Sequence, residues 1–172
     1  MTINNLESKI ELQRFDTSIF KKNFYRIKGK DRESISEEFL KIKDGNIIVD
    51  AKINASDIDF ANFLKELNFL KVCTQVKLEF IPHKAMNIEF SKITEIQDID
   101  SNTALKLAKN FSFDRFSQDK RIVSQDRDKF YQEWIINSFA SKDIILSTIG
   151  NNFCSFKVKG STIDIDLLSV IN

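Results

Sequence analysis

Apolar and polar residues alternate most clearly near the end of the chain, where the pattern predicts three short β-strands. The strands are expected at residues 144–149, 153–159 and 163–170. Residues 150–152 (Gly-Asn-Asn) and 160–161 (Gly-Ser) separate them, and both sequences are typical of hairpin turns. This part of the chain is therefore expected to form an antiparallel meander.

The last of these strands contains a break in its alternation. Ile163, Ile165 and Leu167 occupy alternate positions, but Leu168 and Val170 then continue the apolar series with the opposite phase. Since side chains in a strand repeat every two residues, the phase changes only where an extra residue is inserted. The sequence therefore predicts a β-bulge at the Leu167–Leu168 pair. The bulged strand is expected at a sheet edge, open to a second polypeptide or to self-association.

Two helices and a polar loop precede the strands. Apolar residues at helical spacing predict helices at residues 101–110 and from about residue 124 to residue 139. The second helix carries an aromatic stripe that is typical of a buried core, and Tyr131 within it needs a hydrogen-bond partner for its hydroxyl. The intervening loop, residues 112–123, is polar and irregular but contains phenylalanine. Loops of this kind often bind ligands.

The first part of the chain mixes helix and strand signals. A capping-box pattern at residues 34–37 and a second start signal at residues 56–59 each predict a helix, because apolar residues follow at helical spacing. Short strands are expected at residues 23–27 and 47–49. Residues 13–27 as a whole are interpreted as a small amphipathic hairpin or edge segment.

Strict alternation predicts one more strand at residues 71–80, and residues 86–90 resume the alternation beyond Pro82. These two segments are expected to pair as a hairpin. The elements together predict an α+β fold with a mixed, mostly antiparallel sheet and flanking helices. A small α/β domain of residues 1–97 is expected to precede a second domain of residues 98–172, which holds two helices and three antiparallel strands.

Composition and charge limit the possible partners. The 172 residues include 26 basic and 25 acidic residues, giving a net charge of +1, and no basic run interleaves with aromatics. Nucleic acid is therefore not an expected partner. No segment approaches the roughly 20 apolar residues that cross a bilayer. Because the N-terminus is also too polar for a signal peptide, the protein is expected in the cytoplasm.

The chemistry-bearing residue types are sparse. The only histidine is His83, and the two cysteines, Cys73 and Cys154, are far apart in the sequence. This excludes the usual zinc spacings and leaves no confident Ser-His-Asp or Cys-His arrangement. The four glycines are too widely spaced to form a phosphate-binding loop. The sequence therefore predicts no metal site and no catalytic thiol.

Two stretches resemble a known family. Phe15-Asp16-Thr17 followed by Phe20 is similar to the N-terminal signature of amino-sugar acetyltransferases of the GNAT superfamily, such as the dTDP-fucosamine (dTDP-4-amino-4,6-dideoxygalactose) N-acetyltransferases. That signature usually reads tryptophan-aspartate-serine and then phenylalanine-glycine. In this chain Phe15 stands in the aromatic position, and Lys21 stands where the glycine would be.

The second stretch resembles the family's arginine-phenylalanine loop and the helix that follows it. It comprises Asp114-Arg115-Phe116, then Asp119, and then residues 131–138, which read YQEWIINS. The three strands fall where the family has its second, third and fourth strands. The fourth is bulged, and acetyl-CoA lies against it. The resemblance thus implies an incomplete GNAT-like fold.

The resemblance also implies a reaction and its site residues. A neutral amine on a nucleotide-linked sugar would attack the thioester carbonyl of acetyl-CoA directly, and a backbone N–H freed at the bulge would stabilise the developing oxyanion. The backbone residues implied at the acetyl-CoA site are Leu168, Ser169 and Val170. The residues implied at the sugar-nucleotide site are Arg115, Phe116 and Tyr131, with Lys120 and Arg121 as further cations.

One departure from the family is large. After its fourth strand the family has a loop that binds the pyrophosphate of acetyl-CoA at a helix N-terminus, followed later by a tyrosine that acts as general acid. The sequence reaches Asn172 without either. The chain is therefore expected to be of acyltransferase lineage, but incomplete and inactive alone. Two alternatives stay open: a non-catalytic acceptor-binding or assembly module of the same descent, and an unrelated α+β protein.

Overall fold

A computed structural model describes residues 9–42, 45–79, 81, 94–95, 97–141, 144–149 and 152–169. The chain divides into two compact units, Met1–Lys71 and Val72–Asn172. The expected boundary at residue 97 stays a prediction, since most of residues 80–96 lie outside the described part. The fold is α+β, with helices beside two small, mostly antiparallel sheets.

The first unit contains a three-stranded sheet and three helices. Its elements are β1 (Ile10–Leu12), α1 (Arg14–Phe20), β2 (Asn23–Ile27), α2 (Arg32–Ile42), β3 (Ile47–Ala51) and α3 (Ile58–Glu66). The strand order is β1-β2-β3, with β1 antiparallel and β3 parallel to β2. The apolar stripes of α2 and α3 form a core with the sheet, consisting of Ile10, Ile27, Ile35, Phe60, Phe63 and Leu64.

The interpretation of residues 13–27 as a hairpin or edge segment is wrong. Its first half is a helix, because the carbonyl of Gln13 accepts the N–H of Thr17 at 2.9 Å and opens the helical ladder. Lys21 then ends the helix in the left-handed conformation, with φ of 54°. The predicted strand at 23–27 is confirmed, but it is the central strand of its sheet rather than an edge.

The second unit contains a four-stranded antiparallel sheet and three helices. Its elements are β4 (Thr94–Glu95), α4 (Ser101–Ala108), α5 (Arg115–Gln118), α6 (Ser124–Ala140), β5 (Ile144–Ile149), β6 (Asn152–Lys159) and β7 (Thr162–Ser169). The strand order is β4-β5-β6-β7. The two long helices and three strands confirm the prediction, whereas β4 and α5 were not expected. Of the described helices, none is long and apolar enough to cross a bilayer.

Helices α4 and α6 pack against each other. Asp100 caps α4, because its carboxylate accepts the N–H groups of Asn102 and Thr103 at 2.9 and 3.0 Å. The side chain of Gln132 in α6 then donates to the carbonyl and hydroxyl oxygens of Ser101 at 2.9 and 2.8 Å. These contacts fix the start of α4 against the middle of α6.

The strand predicted at residues 71–80 is not formed in its described part. Residues 71–79 pair with no other described strand, and Val76 and Leu78 are 75% and 88% exposed. Alternation specifies which side chains share a face, but a strand also needs a neighbouring backbone for its hydrogen bonds. Residues 86–90, the expected hairpin partner, lie outside the described residues.

Candidate functional site

The bulge expected in the last strand is present in β7. Ser155 lies opposite Leu167, whereas the next residue, Phe156, lies opposite Ile165. Asp166 is therefore the extra residue. The predicted irregularity is confirmed one residue before the Leu167–Leu168 pair.

Burial of β7 begins only after the bulge, since residues 162–166 are all exposed. Ile163 and Ile165, before the bulge, are each 63% exposed, while Leu167 and Ser169, after it, are buried. The expectation that Leu168 takes over the apolar role is wrong, because Leu168 is exposed. An extra residue at Asp166 inverts the phase earlier than the apolar pattern indicated.

A side chain satisfies the irregular backbone at the bulge. The N–H of Leu167 donates to the hydroxyl oxygen of Ser155 at 3.2 Å, and both residues are buried. This N–H points toward β6. Because successive N–H groups of a strand point to opposite edges, that of Leu168 points to the outer edge of β7, which pairs with no other described strand.

Ser169 attaches the end of β7 to the end of α4. Its hydroxyl accepts from the side-chain amide of Asn110 at 3.1 Å and donates to the carbonyl of Leu107 at 3.4 Å. The side chain of Ser169 is therefore an anchor, and a backbone contact to acetyl-CoA stays a prediction. Val170 lies outside the described residues.

The loop before α6 is held by its own hydrogen bonds. The carboxylate of Asp114 accepts the N–H groups of Phe116 and Ser117 at 2.7 and 3.2 Å and so caps α5. The hydroxyl of Ser117 donates to the carbonyl of Phe111 at 3.0 Å. The aspartate followed by a short polar-aromatic run is a helix-start signal that the sequence analysis missed.

Tyr131 lies within reach of the negative charge of Asp114. Its pKa is raised well above the ordinary value, first by burial and then by the Asp114 carboxylate. The phenol is therefore neutral. Its proximity to Asp114 places α6 beside the capped loop.

An aromatic cluster surrounds Tyr131. The ring of Phe111 stacks on Tyr131 with 4.3 Å between centroids, and Phe116 meets Phe130 edge to face at 4.6 Å. Phe116 is only 4% exposed, and Tyr131 is buried as well. A ligand would reach either ring only after the cluster opened. As direct ligand contacts these two residues stay predictions, and their packing holds the loop.

Phe113 is an exposed residue of this loop, whereas Arg115 is half-buried. The guanidinium of Arg115 lies 4.3 Å from the centroid of the Phe116 ring, which restricts its position. Phe113 is 92% exposed. Phe116, and not Phe113, is the residue implied by the resemblance to the family's arginine-phenylalanine loop. The cap at Asp114 decides between them, since it directs the residue after Arg115 into the core.

The further cations predicted on this loop differ in their surroundings. Arg121 forms two hydrogen bonds with the carboxylate of Asp119, at 2.8 and 2.6 Å. These bonds lower the pKa of Asp119 and balance the charge of Arg121. Lys120 is exposed. Lys120 is therefore a better candidate than Arg121 for an anionic ligand, and the role implied for Arg115 stays a prediction.

A continuous series of contacts connects the bulged strand with the capped loop. Ser169 binds Asn110, and the adjacent Phe111 stacks on Tyr131. The carbonyl of Phe111 also accepts from Ser117, whose N–H donates to Asp114. The two parts of the site predicted from sequence are thus joined through residues 110–114. This segment carries no predicted site residue itself, and its role is to fix their relative position.

The motif in the first unit has a structural role. The hydroxyl of Thr17 accepts the N–H of Phe24 at 2.9 Å, and Asp16 is buried. Arg26 forms two hydrogen bonds with Asp50 across the parallel strands, at 2.8 and 2.7 Å. Those bonds raise the pKa of Arg26, and the charge of Asp16 adds to the effect. The motif therefore connects α1 to the centre of its sheet.

Within the described ranges, no group of three or more histidine, cysteine or acidic side chains could hold a metal ion. Both cysteines are free, and burial raises the pKa of the Cys154 thiol. A partly buried thiol of raised pKa is a poor nucleophile at neutral pH.

No protein-family model matches this chain, and no curated protein matches its sequence significantly. The resemblance to amino-sugar acetyltransferases therefore depends on the residues and the geometry given above.

Proposed function

We propose that this chain supplies the acceptor-binding loop and the bulged strand of a GNAT-type N-acetyltransferase. The enzyme would transfer acetyl from acetyl-CoA to the amine of a nucleotide-linked amino sugar. The observation that carries the proposal is the order of the strands and the two longer helices along the chain: β4, α4, α6, β5, β6, β7. The four strands form one antiparallel sheet, and its last strand is bulged and lies at the edge of the described strands.

This order contains an element that the resemblance requires but the sequence analysis did not identify. If β5, β6 and β7 correspond to the family's second, third and fourth strands, a first strand must precede the two helices. β4 lies before α4 and pairs antiparallel with β5. The strand count and connectivity therefore support the proposed descent.

The backbone at Lys21 gives independent support. This residue stands where the family usually has glycine, and its φ of 54° lies in the left-handed region that favours glycine. A lysine there keeps the helix end at an energetic cost. The conformation, rather than the residue, agrees with the family signature.

The outer edge of β7 fits the acyl end of acetyl-CoA. The N–H of Leu168 points to that edge, where it could donate to the thioester oxygen as negative charge develops. One preorganised donor of this kind typically contributes about 3 kcal/mol. In the step itself, the amine nitrogen bonds to the carbonyl carbon, the carbon–sulfur bond breaks, and the departing thiolate takes a proton. The general acid stays unassigned.

The capped loop fits the acceptor. We assign Arg115 to the pyrophosphate, since guanidinium matches phosphate oxygens in two-fold hydrogen bonds. The exposed ring of Phe113 offers a stacking surface for the nucleobase. Asp114, Phe116 and Tyr131 position the loop from within the aromatic cluster.

The runner-up is a non-catalytic acceptor-binding or assembly module. The capped loop favours it, because the loop is held by its own hydrogen bonds and does not require the outer edge of β7. In either case a second polypeptide that paired with β7 would complete the sheet. The two functions differ in whether acetyl-CoA binds.

Calorimetry with acetyl-CoA and with dTDP-4-amino-4,6-dideoxygalactose tests both functions. Binding of both ligands, with CoA thiol released once a complementing polypeptide is added, is the expected result for the acetyltransferase. Binding of the sugar nucleotide alone would favour the module. If neither ligand binds, both functions are wrong.

A further inference from the structure

Residues 72–79, here called the strap, combine the sequence pattern of a strand with the environment of an unpaired segment. Apolar and polar side chains alternate along them. Val76 and Leu78 are nonetheless strongly exposed, and the strap pairs with no other described strand. Such a segment is expected to add to a sheet edge that can take its hydrogen bonds.

The same unit contains a suitable edge. β7 pairs with β6 on one side only among the described strands. Before the bulge, Ile163 and Ile165 are exposed, and Val158 of β6, which lies opposite Ile163, is 49% exposed. These three side chains form an apolar patch that ends at the outer edge of the sheet.

We propose that the strap docks on the outer edge of β7, along residues 162–165, as a fifth strand of this sheet. The occupant is thus a segment of the same chain. The proposal concerns the sheet alone and holds whether or not the protein transfers acetyl groups.

The side-chain pattern selects one arrangement. Val76 and Leu78 are the neighbours of Lys77 in the strap. If Lys77 lies beside Asp164, these two side chains fall on the same face of the sheet as Ile163 and Ile165. One register therefore places opposite charges together on one face and extends the apolar patch on the other.

The charge of Lys77 already acts on Asp164. Asp164 pairs with Lys159 at 2.9 Å, and its pKa is lowered mainly by that contact. The ammonium of Lys77 lowers the same pKa further, so Lys77 is within electrostatic range of the start of β7. Lys157, opposite Asp164 on β6, acts in the same direction.

The bulge limits how far the strap can pair. Beyond Asp166 the faces of β7 invert, so that the register which matches Ile163 and Ile165 would mismatch Leu168. Docking therefore stops before Leu168 and leaves its N–H open. The opposite edge of the sheet is a poorer site within the described residues, because the described part of β4 comprises Thr94–Glu95 alone.

Amide hydrogen exchange measured by NMR on the full chain tests the proposal. Alternate amides of the strap should exchange on the order of tenfold more slowly than an unstructured chain does. Val76→Pro should remove this protection and also raise exchange at the outer edge of residues 162–165. Coil-like exchange of the strap in the wild-type chain would overturn the proposal, as would loss of strap protection without any change in β7.

A charge variant gives a second test that does not alter backbone conformation. Lys77→Glu places like charges together and should reduce strap protection several-fold, whereas Lys71→Glu, outside the proposed contact, should not. Equal effects of the two variants would contradict the register. Protection that rises with protein concentration would also overturn the proposal, because a second copy would then be the occupant.

Discussion

The backbone N–H of Leu167 donates to the side-chain hydroxyl of Ser155 on the neighbouring strand, at a distance of 3.2 Å in a buried position. This contact lies next to the extra residue, Asp166, where the regular register is interrupted. It supplies a buried acceptor for a backbone donor beside the bulge. The geometry of the outer edge at Leu168 depends on it.

Ser155→Ala is therefore expected to destabilise the chain by about 1–3 kcal/mol, because the buried N–H of Leu167 loses its acceptor. Urea unfolding followed by circular dichroism measures this change. Ser161→Ala, in an exposed turn, is the matched control and should change the free energy of unfolding by less than about 0.5 kcal/mol. Equal effects at both positions would show that the hydroxyl of Ser155 does not support the bulge.

Lys21→Gly should stabilise the first unit by about 1 kcal/mol, because glycine adopts a φ of 54° without the steric cost that lysine pays. The midpoint of thermal unfolding should rise accordingly. Lys22→Gly serves as the control, since only Lys21 and Asn68 among the described non-glycine residues have positive φ. Lys22→Gly should give no gain. A loss of stability in Lys21→Gly would contradict the left-handed cap.

The environment of Tyr131 predicts a dependence of stability on pH. Its pKa is higher in the folded chain than in the unfolded chain, where it is about 10. The neutral phenol therefore contributes stability in full below about pH 10, and this contribution is lost as the pH rises further. Absorbance at 295 nm should show that Tyr131 ionises only well above pH 10.

Tyr131→Phe is the control for this titration. The absorbance step above pH 10 that belongs to Tyr131 should disappear, because the variant has no phenol at this position. If Tyr131 of the wild-type chain ionises near pH 10, its burial beside Asp114 is not present in solution.

Local patterns predicted those elements whose stability depends on neighbours in the sequence. Helices α4 and α6 and the three strands of the meander follow from periodicity and turn residues, which act within a few positions. Residues 71–79 alternate as regularly as β7 does but form no strand. Pairing needs a partner backbone from elsewhere in the chain, and periodicity carries no information about it.

The details of the candidate site depended on tertiary contacts. The apolar pair Leu167 and Leu168 predicted the bulge to within one residue. That Asp166 is the extra residue follows only from the register of β7 against Ser155 and its neighbours in β6. Phe113 and Phe116 have the same side chain and opposite exposure, because the cap at Asp114 directs only the second into the core. Sequence reasoning therefore found the loop but chose its buried ring.

The assignment of Arg115 and Phe113 predicts separable binding defects. Phe113→Ala should weaken binding of the dTDP-linked amino sugar by about tenfold, since one stacked base typically contributes 1–3 kcal/mol. The effect of Phe113→Ala on the binding of inorganic pyrophosphate should be small.

Arg115→Ala should weaken the binding of both ligands by a similar factor. Arg115→Lys should restore only part of the affinity, because an ammonium cannot form the two-fold contact. Calorimetry on each variant measures these changes, with Val123→Ala, another exposed apolar residue before α6, as the control. Parallel losses for both ligands in Phe113→Ala would contradict stacking on the base. Unchanged affinity in Arg115→Ala would remove the loop from the acceptor site.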